Sequence, residues 1–376
     1  MQIPRFEMER WQSTWENLVE LNISESGVTP LTIRELMADA GDPSRLLDTK
    51  LGYPQSNGGE ELRANIATFY PGANLENVLV TTGTAEANFV VTCALVAPGA
   101  EVVMMMPNYM QIAGAARGFG GAIKPLWLRE NLRWAPDMDE LRRLVTPKTK
   151  LIAVCNPNNP TGAVLTEKQI DEICAIAAKA GAWILADEVY RGAELSGGLT
   201  PTFWGRYERV LCTAGLSKAF GLPGLRIGWV VGPPDFVATL WGYKDYTTIG
   251  ITMLSDRLAT LALEPARRDR ILDRTRGILR QNFPTVRDWL ARHSDLLRCH
   301  PPAAGAIVYV GYKSDLGWKS MDLAESLRVN KSVLIVPASQ FEMEGYLRIG
   351  FGYDLEVLRK ALTRVDEVMF RAVAAD

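Results

Sequence analysis

Histidine is nearly missing from this 376-residue chain, where His293 and His300 are the only two. Neither lies near the end of a strand expected in the main sheet, so a histidine-based triad and a histidine-rich metal site are excluded, and no metal is expected. The glycines form no G-x-x-x-x-G-K-[ST] loop, and no G-x-G-x-x-G follows the first expected strand, which removes the usual support for a nucleotide site. Net charge is also scarce. With 41 basic and 43 acidic residues the balance is −2, too weak a field to gather nucleic acid or an anionic membrane. The five cysteines, Cys93, Cys155, Cys174, Cys212 and Cys299, have no C-x-x-C spacing and sit mostly in apolar runs, as reduced core thiols of a cytoplasmic protein do. No segment has the roughly 18 uninterrupted apolar residues of a membrane helix, and the opening MQIPRFEMERW has no apolar stretch of signal-peptide length. What remains as a partner is a small molecule.

Hydrophobic residues make up 47% of the chain, enough to bury a full core. The chain is longer than a single core usually serves, so a large domain over 49–280 is expected, with a smaller α+β domain built from the ends, 1–48 and 281–376. From about 77 to 233 short apolar runs alternate with Gly/Pro/Asn-rich breaks and amphipathic stretches, the pattern of an α/β fold with a mainly parallel, doubly wound sheet. Strands are expected at 77–82, 101–106, 151–155, 183–187, 209–213 and 226–232. The last follows its predecessor too closely for a helical crossover, so one strand there should be antiparallel. A long Arg-rich helix is expected from 265 to about 293, then strands at 306–312, 332–336 and 346–350 and helices at 320–328 and 354–374.

In doubly wound sheets ligands bind beyond the carboxyl ends of the strands, and the informative residues fall there. Gly83, Thr84 and Ala85 follow the first strand and open the helix AEANFVVTCALV, whose free N–H groups suit a phosphate. The loop NPNNPTG follows 151–155, Asp187 ends the run AWILAD, and Ser217-Lys218 follows 209–213. Lys218 alone would be an exposed loop lysine, yet an apolar, glycine-bearing turn ending in Arg226 surrounds it, a setting suited to an amine that forms imines. A carboxylate at the end of an apolar run needs a partner. For Asp187 that is a helix cap, a buried ion pair or a cationic ring nitrogen. Tyr109 at the PNY turn is either a stacking ring or a half-buried core aromatic, and Arg348 is either a surface ion pair or a fork for a carboxylate.

The segments GYPQSNGGEELR (52–63), TTGTAEA (81–87), PNY (107–109), NPNNPTG (156–162), DEVY (187–190), SKAFGLPGLRIG (217–228) and LRIGFG (347–352) occur in one order along nearly the whole chain. Together they resemble the fold-type I aminotransferases. That resemblance implies a seven-stranded-type sheet and pyridoxal 5′-phosphate (PLP) held as a Schiff base on Lys218. It further implies an amino-acid substrate, a 2-oxo acid acceptor and a homodimer. By the same resemblance Asp187 pairs with the pyridine nitrogen, Tyr190 and Asn159 reach the phenolic oxygen, and Tyr109 stacks on the ring. Gly83, Thr84, Ala85, Ser217 and Arg226 hold the phosphate, with Tyr53 reaching it across a dimer interface. Arg348 grips the substrate carboxylate, with Asn159, Ser24, Ser26 and Gly27 near the substrate. Two positions depart from the pattern: Gly215 and Ala85 stand where relatives often carry hydroxyl residues, and Thr84 and Thr213 are candidates to compensate.

The expected activity is transamination. Two alternatives stay open. The N-terminal region and GLSKAFGLPGLRIGW are also similar to capreomycidine-synthase-type cyclases, which act on arginine derivatives, so cyclisation or elimination could follow the same first step. A non-catalytic sensor that kept the fold is the other, though no basic helix-turn-helix extension is visible.

Overall fold

The computed structural model describes residues 2–38 and 44–370. A helix, Glu7–Trp15, leads into a two-residue strand, β1 (Leu21–Asn22). The main sheet follows from seven strands: β2 (Val78–Thr81), β3 (Glu101–Met106), β4 (Ala122–Trp127), β5 (Thr149–Cys155), β6 (Trp183–Asp187), β7 (Val210–Gly215) and β8 (Gly228–Val231). Their spatial order is β2-β8-β7-β6-β5-β3-β4. Only β8 runs against its neighbours, β2 and β7, so β2 and β7 point the same way as β6, β5, β3 and β4. The carboxyl ends of six strands therefore share one rim.

Alternation along each strand explains why both faces of the sheet are covered. Val102, Met104 and Met106 of β3 join one apolar cluster, whereas Val103 and Met105 join the other. The same split divides Leu151 and Ala153 of β5 from Ile152 and Val154. Side chains two apart face one way, and a sheet with helices on both sides needs apolar residues at every position. Helices Thr84–Leu95, Gln111–Gly118 and Pro234–Lys244 supply residues to one cluster, and Glu167–Ala180 to the other.

After the 28-residue helix Pro265–Arg292, a four-stranded antiparallel sheet forms from β9 (Leu297–Arg298), β10 (Ile307–Tyr312), β12 (Val336–Pro337) and β13 (Tyr346–Gly350). Between them β11 (Val333–Leu334) pairs in parallel with β1. The N-terminal segment thus lies beside the C-terminal elements.

Two expectations need correction. The run 332–336 is not one strand: it is divided between β11 and β12, which belong to different sheets. The strand β4 was not among those expected, because AIKPLW breaks its apolar pattern with Lys124 and Pro125. At the sheet edge a proline is tolerated, since one side of the strand needs no N–H donors. The last helix is Leu355–Met369, and the rest of the expected 354–374 span beyond residue 370 lies outside the described residues.

Candidate active site

The shared rim opens into a cavity of about 550 Å³ lined by Thr84, Ala85, Tyr109, Asn159, Asp187, Tyr190, Ser217, Lys218, Arg226, Arg348 and Ser26, among others. Most of the expected site residues therefore meet in one place. Tyr53 does not. It is 91% exposed and lines no part of this cavity.

Asp187 closes β6 and is buried. Burial pushes its carboxyl above the usual range, while the Asn88 amide, the Val189 N–H and the charge of Lys218 pull the other way. Asn88 Nδ2 donates to Oδ2 at 3.0 Å and the Val189 N–H donates to Oδ1 at 3.1 Å. Among the described residues no cationic side chain forms an ion pair with it, and a buried carboxylate with neutral donors is costly. Asn88 is held in turn by Thr213, whose hydroxyl donates to Asn88 Oδ1 at 2.7 Å. Thr213 is fully buried, so it supports Asn88 and is not a phosphate ligand, correcting that expectation. Asn88 went unnoticed in the sequence, although it is a polar residue one turn after Thr84 in a mainly apolar helix.

The departure at Gly215 is explained by Thr84, one of the residues expected to compensate for it. A Cβ at Gly215 would stand 2.5 Å from Thr84 Oγ1 and 2.8 Å from the Ile227 carbonyl, so a serine or threonine there does not fit. Thr84 Oγ1 is itself buried with no hydrogen-bond partner. It begins the helix Thr84–Leu95, whose N-cap Gly83 has no side chain to satisfy the first N–H groups. Strand β8 passes so close that a Cβ on Gly228 would meet Gly83 C and Thr84 N at 2.3 Å. Arg226 has a left-handed φ of +52°, and its guanidinium lies over Gly83, 2.5 Å from where a Cβ would be. Unpaired donors, a hydroxyl and a fixed cation make an anion cradle.

Arg348, in the same cavity, is 1% exposed, not a surface ion pair. Nη1 donates to Asn159 Oδ1 at 3.0 Å and Nη2 to the Ser24 carbonyl at 2.6 Å. Nε has no partner. Burial lowers its pKa, and the charges of Tyr190, Glu25, Glu9 and Tyr109 raise it. Tyr190 donates to Ser26 Oγ at 2.9 Å, and burial drives its hydroxyl well up. Tyr109 donates to Glu9 at 2.7 Å. Gly27 packs against the lysine stem, where a Cβ would lie 3.8 Å from Lys218 Cδ. Lys218 Nζ lies 3.6 Å from Glu25 Oε2, a partner the sequence did not announce. Lys218 lowers the Glu25 pKa and burial opposes it, with Arg348 adding to the lowering.

These features fit PLP. A buried acid with neutral donors suits a protonated ring nitrogen, an unpartnered hydroxyl beside a helix N-terminus suits a phosphate, and an amine lines the same cavity. The class I and II aminotransferase family model matches residues 19–365. Capreomycidine synthase of Streptomyces vinaceus is 32% identical, the alignment covering 97% of this chain and 94% of the relative. Aromatic-amino-acid aminotransferase 2 of Thermococcus litoralis is 28% identical over 94% of this chain and 92% of its own. A PLP-dependent aminotransferase from Streptococcus suis superposes with a TM-score of 0.92 at 33% identity, covering 99% of both chains.

Proposed function

Because the chain belongs to the class I and II aminotransferase family, a family of PLP enzymes, we propose that it transfers an amino group from an α-amino acid to a 2-oxo acid. The observation that carries this reading is the meeting of Lys218, Asp187 and Arg348 in one cavity. PLP, when bound, supplies a protonated ring that draws off the electrons left when the substrate loses its α-proton. Asp187 keeps the ring nitrogen protonated, and Asn88 keeps Asp187 aimed. Thr84, the N–H groups after Gly83, Ser217 and Arg226 hold the phosphate. Tyr190 and Asn159 would hold the phenolic oxygen, and Tyr109 would cover the ring. Arg348 orients the substrate by its carboxylate, with the unpartnered Nε available to it. Lys218 Nζ would hold the cofactor and, once the substrate amine has displaced it, would serve as the base that moves the α-proton.

Residues 49–280 form the cofactor-binding domain in this reading, and 1–48 with 281–376 the domain that covers it. A homodimer in the cytoplasm goes with the same reading. No helix among the described residues is long and apolar enough to cross a membrane.

The identity to capreomycidine synthase favours a second reading, in which the same residues start a cyclisation. Product identity separates them: a 2-oxo acid with pyridoxamine phosphate, or a cyclic product with the cofactor unchanged. The test of both is Lys218→Ala. This variant should bind PLP without the covalent link and lose turnover by at least about a hundredfold, the usual worth of a positioned base. A variant that turned over normally, or a wild-type protein that gained no cofactor mass on borohydride reduction, would remove Lys218 from the chemistry.

A further inference from the structure

Three carboxylates in the cavity have no part in that chemistry. Glu9, Glu16 and Glu25 line it together with Gln12 and Ser13. Residues 9, 12, 13 and 16 recur at the spacing of one helix face, so helix Glu7–Trp15 and its C-cap Glu16 present a polar wall to the cavity. Glu25 comes from the segment after β1. Tyr109 donates to Glu9 at 2.7 Å, which holds that carboxylate in place.

The lining cations are Lys218, Arg226 and Arg348, and the lining acids are Glu9, Glu16, Glu25 and Asp187. With the cofactor bound, Lys218 is tied to it, Arg226 faces its phosphate, Asp187 its ring nitrogen, and Arg348 the substrate carboxylate. Glu25 then loses the ammonium that stands 3.6 Å away. All three glutamates are left without a cation in a half-buried site. Burial, Glu25 and Glu9 already raise the pKa of Glu16, the mark of acids that repel one another. Arg348, buried and with Nε unpartnered, independently points to an anionic ligand end in the same cavity. The far end of that ligand must then meet the acids.

We propose that Glu9, Glu16 and Glu25 form the side-chain subsite, and that the amino acid it takes carries a cationic side chain, a guanidinium or an ammonium. The inference rests on the reading of the cavity as a PLP amino-acid site. It does not depend on whether transamination or cyclisation follows. Neutral isosteres lose the charge-assisted contacts, and acidic side chains meet three like charges.

The test titrates the PLP-loaded enzyme with L-arginine, L-lysine, L-citrulline, L-leucine and L-glutamate, reading binding from the cofactor's absorbance. Citrulline keeps the length and planar end of arginine without its charge. Arginine should bind about 10- to 100-fold more tightly than citrulline, the usual worth of hydrogen bonds to a charged group. Glu16→Gln and Glu9→Gln should move that ratio toward one, chiefly by weakening arginine, while PLP still binds. A wild-type ratio near one, or a preference for leucine or glutamate, overturns the cationic subsite and leaves the enzyme reading intact. A large ratio indifferent to both substitutions overturns its assignment to these carboxylates. A loaded enzyme whose absorbance responds to no amino acid overturns the subsite and the function together.

Discussion

Asp187 has the raised pKa that burial produces, and Asn88 is the side chain that holds it down. Removing that donor in Asn88→Ala leaves the Val189 N–H and the charge of Lys218 to hold the carboxyl down, so the Asp187 pKa should climb further. In the proposed role Asp187 pairs, ionised, with a protonated ring, so activity should fall as pH drops through its pKa. A higher pKa moves that fall to higher pH. The variant should lose about 10- to 100-fold in the α-proton step near neutrality, equivalent to one charge-assisted hydrogen bond, and shift the acid limb of its pH–rate profile upward. An unshifted limb would make Asn88 a packing residue only. Other site residues divide by the same logic of visibility. Lys218, Asp187 and Arg348 are legible in sequence because each sits in a run that ill suits a charge. Asn88, Thr213 and Glu25 are not, since their meaning is a contact with a residue far along the chain.

Among elements, the sheet strands were legible where both faces are buried and the apolar run is unbroken, as in β3 and β6. They were hidden at the edge, where β4 carries Lys124 and Pro125, and where one apolar run was shared between β11 and β12. Nor does periodicity say what joins the long helix Pro265–Arg292 to the main sheet. Part of the answer is Glu194, a buried carboxylate in the loop between β6 and β7. Its Oε1 accepts from the N–H groups of Gly192 and Thr200, both at 2.9 Å, and from the Thr200 hydroxyl at 2.8 Å. Arg276 of the long helix donates to Oε2 at 2.9 Å. Burial alone would raise the Glu194 pKa, but these bonds hold it below the usual range. A depressed folded-state pKa contributes stability that is present above the unfolded value of about 4.3 and lost as pH falls through the lower folded one. Glu194→Gln should therefore unfold at lower urea concentration at pH 7, by about 1–3 kcal/mol. The gap from wild type should close as pH drops below about 4. A gap independent of pH would show that geometry and not charge holds the joint.

At the scale of the whole molecule, the phosphate cradle sits beside a surface that a lone chain leaves uncovered. Leu47, Leu51, Tyr53 and Tyr246 are each at least 80% exposed, and large apolar side chains left in water are candidates for an interface. The segments that carry Tyr53 and Tyr246 are joined to each other and to the cradle's helix by hydrogen bonds. Trp241 Nε1 donates to Ser56 Oγ at 2.9 Å, and Lys244 Nζ donates to the Ser56 and Ile249 carbonyls at 3.2 and 2.7 Å. Glu86, in the first turn of the cradle's helix, accepts from the Thr82 N–H at 2.6 Å and from the Thr248 hydroxyl at 2.7 Å. A two-fold dimer through this surface would bring Tyr53 of each subunit toward the other's phosphate, which explains a tyrosine with no contact of its own in the cavity. Light scattering should then give twice the 41.6 kDa of the chain. Tyr53→Phe should leave the dimer intact and raise the PLP dissociation constant by about tenfold, one charge-assisted hydrogen bond's worth. Tyr246→Asp should instead dissociate the dimer and weaken PLP in the same measurement. A monomeric wild type, or a Tyr246→Asp monomer that holds PLP as tightly as the wild type, would return the whole phosphate to Thr84, Ser217, Arg226 and the helix N-terminus of a single chain.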